Sequence, residues 1–304
     1  MLVLNYDNEQ NNHSPIAGTV LGVNTAPSYI EYEGTSYRLK PNLETFLIMG
    51  VDKYLDTELG PVQGIYEQGD VLLLAVIDRS ARTYSILQIN RDTMTPVRLL
   101  TNSGVHFRTD VQQIALAHAY GGGGAVGCRN TVEAVSTLLG KVKINHYLSL
   151  TMDGVMMLND AVGGVTLEVM DTIGDVMNVG DTVTLYGADA LAYVRARKDI
   201  ENPTNIRRME RQLQYFEAFR AQLDRCIAED PDFVLHVLTN VNEFMVSDCT
   251  VELLSSTFNE IHEFEMQGYR HLAGDAIPGT RYMEYYVSRE TRIESIIDLF
   301  YEEA

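Results

Sequence analysis

The sequence predicts a mixed α/β fold, as one large domain with insertions or as two domains. Three observations lead there. The chain has 304 residues, 45% of them apolar and 9% aromatic, enough for a large core. Three short apolar runs, at 45–52, 71–78 and 83–90, read as buried strands with charged residues at their ends. Helical and strand patterns then alternate from residue 112 to the C-terminus.

In chain order, residues 1–26 are polar and irregular and read as a linker or stalk with room for one short strand. Residues 29–38 alternate around Glu33-Gly34, which fits a small hairpin. The first buried run ends in Asp52, the second is preceded by Asp70, and the third leads into Arg91-Asp92-Thr93. Such side chains lie at the rim of a sheet, where active sites are commonly built. Residues 112–120 read as helical, and Gly121–Gly124 as a flexible loop. No Gly-Lys-Ser/Thr follows, so the run is not a phosphate-cradling P-loop. Asn130 reads as the N-cap of a helix over 131–139, with Glu133 as its capping-box partner and Gly140 as its stop. A strand over 147–152, a cap at Asp153, a helix over 154–162, a Gly163-Gly164 turn and a strand over 165–169 follow. Later helices are centred on 188–196, 207–226 and 289–303, with a break at Pro203.

Charge narrows the function. Lys+Arg is 23 and Asp+Glu is 42, a formal net charge of −19. Nucleic-acid backbones need displacing cations, so this balance argues against a nucleic-acid partner. Any phosphate handled here needs a local cation cluster or a metal ion. Cys128, Cys226 and Cys249 form no CxxC pair; they read as buried thiols, not as a zinc site or a disulfide framework. No run of 18 apolar residues and no signal-peptide pattern is present, so either the chain is cytosolic or a targeting segment lies outside it.

Five arginines, Arg195, Arg197, Arg207, Arg208 and Arg211, fall within 17 residues. Arg208 and Gln212 are spaced i, i+4 and share a helical face. Guanidinium suits phosphate oxygens that need bidentate donors; the alternative is a solvated helix face paired with Glu201, Glu210 and Glu217. Asp52 and Asp70 could hold one Mg²⁺ or serve as turn and cap residues. Arg91-Asp92-Thr93 is either a phosphate contact or a strand-end ion pair. Together the three elements describe a diphosphate site better than any does singly.

The stretches FLIMGVDK (46–53), GDVLLLAVIDRSARTYSILQINRDTM (69–94), HAYGGGGAVGCRNTVEAVSTLLG (118–140), INHYLSLTMDGVMMLNDAVGGVTLEV (144–169) and YGADALAYVRARKD…IRRMERQLQY (186–215) occur in one order and spacing. In them the chain resembles the LytR-CpsA-Psr (LCP) family, the domain also called cell envelope-related transcriptional attenuator. These enzymes attach glycopolymers to Gram-positive cell walls. The resemblance is densest over 45–215 and implies one LCP-like catalytic domain over 27–304. It implies a three-layer α/β/α sandwich around a central mixed sheet, with a hydrophobic groove for a polyprenyl chain. By motif, Asp52 and Asp70 match the Mg²⁺ ligands, with Mn²⁺ as a substitute. Arg91 matches the strand-end phosphate arginine with Asp92 supporting it, Arg195 and Arg197 match an RxR pair, and Arg208 and Gln212 match the following helix pair with Arg211 assisting. The implied reaction transfers a phospho-glycopolymer such as teichoic acid or capsule from a polyprenyl pyrophosphate carrier to peptidoglycan, with pyrophosphatase activity as its partial reaction. The implied location is the outer face of the cytoplasmic membrane or the wall, with an N-terminal membrane anchor outside this chain.

Four positions depart from the pattern. Gln68 stands where the family has an arginine, Asn90 where it has a proline, and Asn145-His146 where it has one aspartate. Asp56 competes with Asp52 or Asp70 as a ligand. Gln68 keeps a second reading open, a non-catalytic binder of polyprenyl-phosphate lipids or wall polymer. His118 and His146 read as packing residues. A third reading, transcriptional attenuation, lacks a basic helix-turn-helix.

Overall fold

The computed structural model describes residues 25–52, 67–101, 103–196, 205–280 and 282–304. Almost all of the linker expected over 1–26 lies outside them, as do Asp56 and Arg197. The domain expected over 27–304 comprises two compact units, residues 1–49, 65–147 and 265–304 in the first and residues 50–64 and 148–264 in the second.

The chain opens with β1 (Tyr29–Tyr32) and β2 (Thr35–Leu39), the expected hairpin. Glu33 and Gly34 both take positive φ, as a two-residue turn with the twist of the strands requires. Next come β3 (Leu43–Val51), β4 (Gly69–Asp78), β5 (Thr83–Gln88), β6 (Met94–Leu100), β7 (His106–Gln113), α1 (Leu116–Tyr120), α2 (Gly124–Leu138) and β8 (His146–Leu150). They are followed by α3 (Met152–Ala161), β9 (Val165–Glu168), β10 (Thr182–Leu185), α4 (Gly187–Arg195), α5 (Asn205–Glu229), α6 (Phe233–Asn240), β11 (Met245–Ser247) and α7 (Val251–Ile261). The chain closes with β12 (Glu265–His271), β13 (Gly274–Pro278), β14 (Met283–Val287), α8 (Arg289–Phe300) and β15 (Tyr301–Glu303).

In the first unit the central sheet carries β3, β4, β5 and β12 side by side. It is mixed, because β4 and β5 pair antiparallel and β5 and β12 parallel. Leu47, Met49, Leu72, Leu74, Ile77 and Leu87 are buried on these strands. Burial of both faces explains why β4 reads as an unbroken apolar run and not as an alternation. Each such side chain contributes about 1.5–3 kcal/mol by leaving water. The sheet thereby supplies a stiff base whose strand ends carry the polar residues Asp70 and Asn90-Arg91-Asp92.

The second unit has its own core, in which Met152, Val162, Val165, Leu167, Leu185, Leu191 and Tyr193 pack together. The hairpin of β9 and β10 faces α5, and β11 pairs antiparallel with the end of β8. Gly163 and Gly164 both take positive φ at the expected turn. Among the described residues, no helix is long and apolar enough to cross a membrane.

Four local expectations need correction. Gln112 and Gln113 end strand β7 and do not begin a helix, because they pair with β6 across the hairpin. Helix α2 starts at Gly124, so Asn130 is not a cap; it is buried mid-helix, where its Nδ2 donates to Arg98 O (2.9 Å) and Ala117 O (2.7 Å). Thr151, not Asp153, caps α3 by accepting from Gly154 N at 3.3 Å. The last helix stops at Phe300, and residues 301–303 pair with β2 instead. Thr151→Ala is expected to cost about 1 kcal/mol in urea unfolding, the usual value of an N-cap, while Asp153→Ala costs less.

Candidate active site

In the first unit, the turn after β5 presents Arg91 and Asp92. Asn90 shapes this turn: its carbonyl accepts from Thr93 N at 3.0 Å and its side-chain oxygen accepts from Asp92 N at 2.9 Å. An Asx turn of this kind presets the backbone much as a proline does. Asp92 O accepts from Tyr285 N (2.9 Å) and Arg91 O from Ala115 N (3.1 Å), so the turn is tied to β14 and to the start of α1.

The Arg91 side chain is largely buried, with 11% of its surface exposed. Its Nη1 donates to Asp70 Oδ1 and its Nη2 to Gln68 Oε1. Its Nε lies 3.6 Å from Asp92 Oδ1, beyond hydrogen-bond range, and is a buried donor with no hydrogen-bond partner among the described residues. Asp92 Oδ1 accepts from Gln113 Nε2 at 3.1 Å, and that amide also donates to Met283 O at 2.7 Å. Asp70, Arg91 and Asp92 are therefore brought together as the sequence predicts. Gln113 was not singled out, because a strand-end glutamine carries no motif.

The second unit holds the other arginines. Arg195 ends α4, and its Nη2 donates to Asp52 Oδ1 at 3.0 Å in a half-exposed pair. Helix α5 carries Arg207, Arg208, Arg211 and Gln212, of which Arg208, Arg211 and Gln212 are buried. Arg211 is fully buried, and its Nη1 donates to Asp171 Oδ2 at 2.7 Å. Its Nε and Nη2 donate to Tyr193 O (3.2 Å) and Ala196 O, and Gln212 Nε2 donates to Val194 O at 3.1 Å. These are carbonyls that a helix leaves unsatisfied at its C-terminal end. Two side chains of α5 thus cap α4 just where Arg195 leaves it. Arg207 holds the same Asp171 through Nε at 3.0 and 3.1 Å, and reaches Met170 O and Glu210 with its other nitrogens. The Glu210 contact is the exposed helix pair weighed in the sequence.

Burial pushes the Asp171 carboxyl up, but hydrogen bonds from Arg211 and Arg207 outweigh it and hold the group below its ordinary value. Asp171 was missed because nothing in its local sequence marks it; Arg207 and Arg211 lie 36 and 40 residues away.

The other singled-out groups make packing and polar contacts. His118 is buried, with its Nδ1 at 2.7 Å from Glu67 O and its Nε2 at 3.6 Å from Cys128 Sγ. His146 packs on Phe46 with ring centroids 4.8 Å apart and the rings tilted by 32°. The three cysteines are thiols, with Cys128 buried and Cys226 and Cys249 partly so.

The model of the LytR_cpsA_psr family matches residues 23–295. The polyisoprenyl-teichoic acid–peptidoglycan teichoic acid transferase TagU of Halalkalibacterium halodurans is 33% identical over 177 residues, covering 57% of this chain and 51% of that protein. The chain therefore spans about half the length of this curated relative. The crystal structure of B. subtilis TagV aligns with a TM-score of 0.63 at 20% identity, over 86% of this chain and 97% of that one. A structure of TagT bound to LI-WTA aligns with a TM-score of 0.62 at 18% identity, over 85% and 90%. At these identities the two structures bear out the mixed α/β fold.

Proposed function

The chain belongs to the LytR_cpsA_psr family, and on that premise we propose that it is a phosphotransferase. Its substrate is a phospho-glycopolymer of the teichoic acid type on a polyprenyl pyrophosphate carrier, and its acceptor is a peptidoglycan hydroxyl. The observation that carries this reading is Arg91: a largely buried guanidinium, gripped at both terminal nitrogens, whose Nε makes no hydrogen bond among the described residues and has the Asp92 carboxylate only at 3.6 Å. A buried donor left without a partner is costly, and an anionic phosphate oxygen relieves that cost. The names of the transferase relatives support the substrate class.

In the reaction, the acceptor oxygen bonds to the phosphorus that carries the polymer. The phosphoanhydride bond breaks, polyprenyl phosphate leaves, and the hydroxyl proton passes to a base. Arg91 holds a phosphoryl oxygen and offsets the charge that gathers there, which is the main lever on such a step. Asp92, fixed by Gln113, keeps Arg91 aligned. Arg195, Arg197 and Arg208 are proposed to contact the diphosphate. Arg211 and Gln212 serve the substrate by holding the end of α4 beneath Arg195. Asp52 and Asp70 are proposed as the metal ligands by the family motif, and carboxylate oxygens are the donors a hard divalent cation takes. Mg²⁺, or Mn²⁺ in its place, would be held by these two and would polarise the phosphate oxygens. A hydrophobic groove for the prenyl chain, a site outside the cytoplasmic membrane and an N-terminal anchor belong to the same proposal. The net charge of −19 suits an extracellular wall enzyme that does not bind nucleic acid.

The test is phosphate release from geranyl pyrophosphate, with water as acceptor, at graded Mg²⁺. Release that EDTA stops and Mg²⁺ restores is the expected result. Tight lipid binding without release would sink the transferase in favour of the non-catalytic binder.

A further inference from the structure

We propose that Gln68 is a positioning residue for Arg91: its amide oxygen orients the guanidinium without cancelling its charge. The inference rests on the reading of Arg91 as an anion-binding group. Arg91 donates to Asp70 through Nη1 and to Gln68 through Nη2, so both terminal nitrogens are held. That grip leaves Nε as a buried donor without a hydrogen bond among the described residues.

The residue type at 68 decides what this grip does. An arginine has no acceptor and would set a second positive charge against Arg91. A glutamate would accept the bond but add a third carboxylate beside Asp70 and Asp92, leaving Arg91 with less pull on an anion. A glutamine accepts and stays neutral. Gln113 plays the matching part on the other flank, where its amide donates to Asp92 Oδ1 at 3.1 Å while anchored on Met283 O. Gln68 therefore does a different job from the arginine of the family pattern: it aims the neighbouring cation and supplies none itself.

The experiment is calorimetric titration of the whole chain with inorganic pyrophosphate in EDTA, which removes any metal contribution. Gln68→Met keeps the side-chain length and removes the acceptor. It is expected to weaken binding about three- to tenfold, the value of one ordinary hydrogen bond. Gln68→Glu is expected to weaken it further by added negative charge, although it keeps the acceptor. In an Arg91→Ala background, Gln68→Met is expected to change nothing more. Binding unchanged in Gln68→Met, or a full additive loss in the double variant, overturns the positioning role. If the Arg91→Ala chains bind too weakly to compare, the ¹⁵N signals of Arg91 decide. Separate Nη1 and Nη2 resonances that merge in Gln68→Met support the role, and unchanged ones overturn it. A wild-type chain that fails to bind pyrophosphate overturns the reading of Arg91 itself and the proposal with it.

Discussion

Arg91→Ala is expected to lower phosphate release from geranyl pyrophosphate about 10²–10³-fold, the usual cost of removing one oriented donor from a developing anion. The loss should fall on turnover more than on folding. The turn that carries Arg91 is held by backbone bonds and by Asn90, none of which the substitution touches. It does leave Asp70 and Gln68 without the guanidinium they share. A normal circular dichroism spectrum with activity lost is therefore the signature sought. Arg91→Lys should recover little, because a point ammonium cannot meet Asp70 and Gln68 at once and still face a phosphate. Activity within a few-fold of the parent would end the assignment of Arg91 as a catalytic residue.

The second large effect is on stability. Arg211→Ala is expected to cost about 3–5 kcal/mol in denaturant unfolding, since it removes one of the two arginines on Asp171 and takes the donor from two carbonyls at the end of α4. Arg211 has no exposed surface and makes contacts to Asp171, Tyr193 O and Ala196 O. Its removal uncaps α4 as well as leaving Asp171 on Arg207 alone. Asp171→Asn separates the charge from the shape, and its pH dependence has a definite sign. The folded carboxyl titrates below its ordinary value of 3.8, so its contribution is complete above about pH 4. That contribution fades as pH falls through the lower folded pKa. Asp171→Asn should thus be less stable than the parent at neutral pH and converge with it in acid, followed as urea midpoints between pH 7 and pH 2. A gap that widens on acidification would contradict the pairing.

Much of this was legible in one dimension. The apolar runs of β3, β4 and β5 announce themselves because strands buried on both faces need no alternation. The turns at Gly34 and Gly163-Gly164 follow from positive φ angles that glycine takes at little cost. The motif blocks carry enough spacing to imply the family before any coordinate is known. Asp70, Arg91 and Asp92 come together as their strand-end positions foretell.

What stayed hidden depends on long-range partners. The β6–β7 hairpin was read in part as helix because Gln112 and Gln113 carry no strong local preference; their cross-strand neighbours decide. Asn130 has the sequence of a cap, yet burial against Arg98 O and Ala117 O puts it in mid-helix. The i, i+4 spacing of Arg208 and Gln212 places them on one helical face, and only the family resemblance implies a substrate for it. Spacing states which residues share a face; only packing states what that face meets. For Arg211 and Gln212 it meets the open end of α4, and for Gln68 it meets Arg91. The sequence by itself determined the fold class, the strand ends and the residue types of the site. The tertiary structure alone decided which acceptors each arginine meets, Asp70 and Gln68 for Arg91 and the end of α4 for Arg211, because those partners come together only when the chain folds.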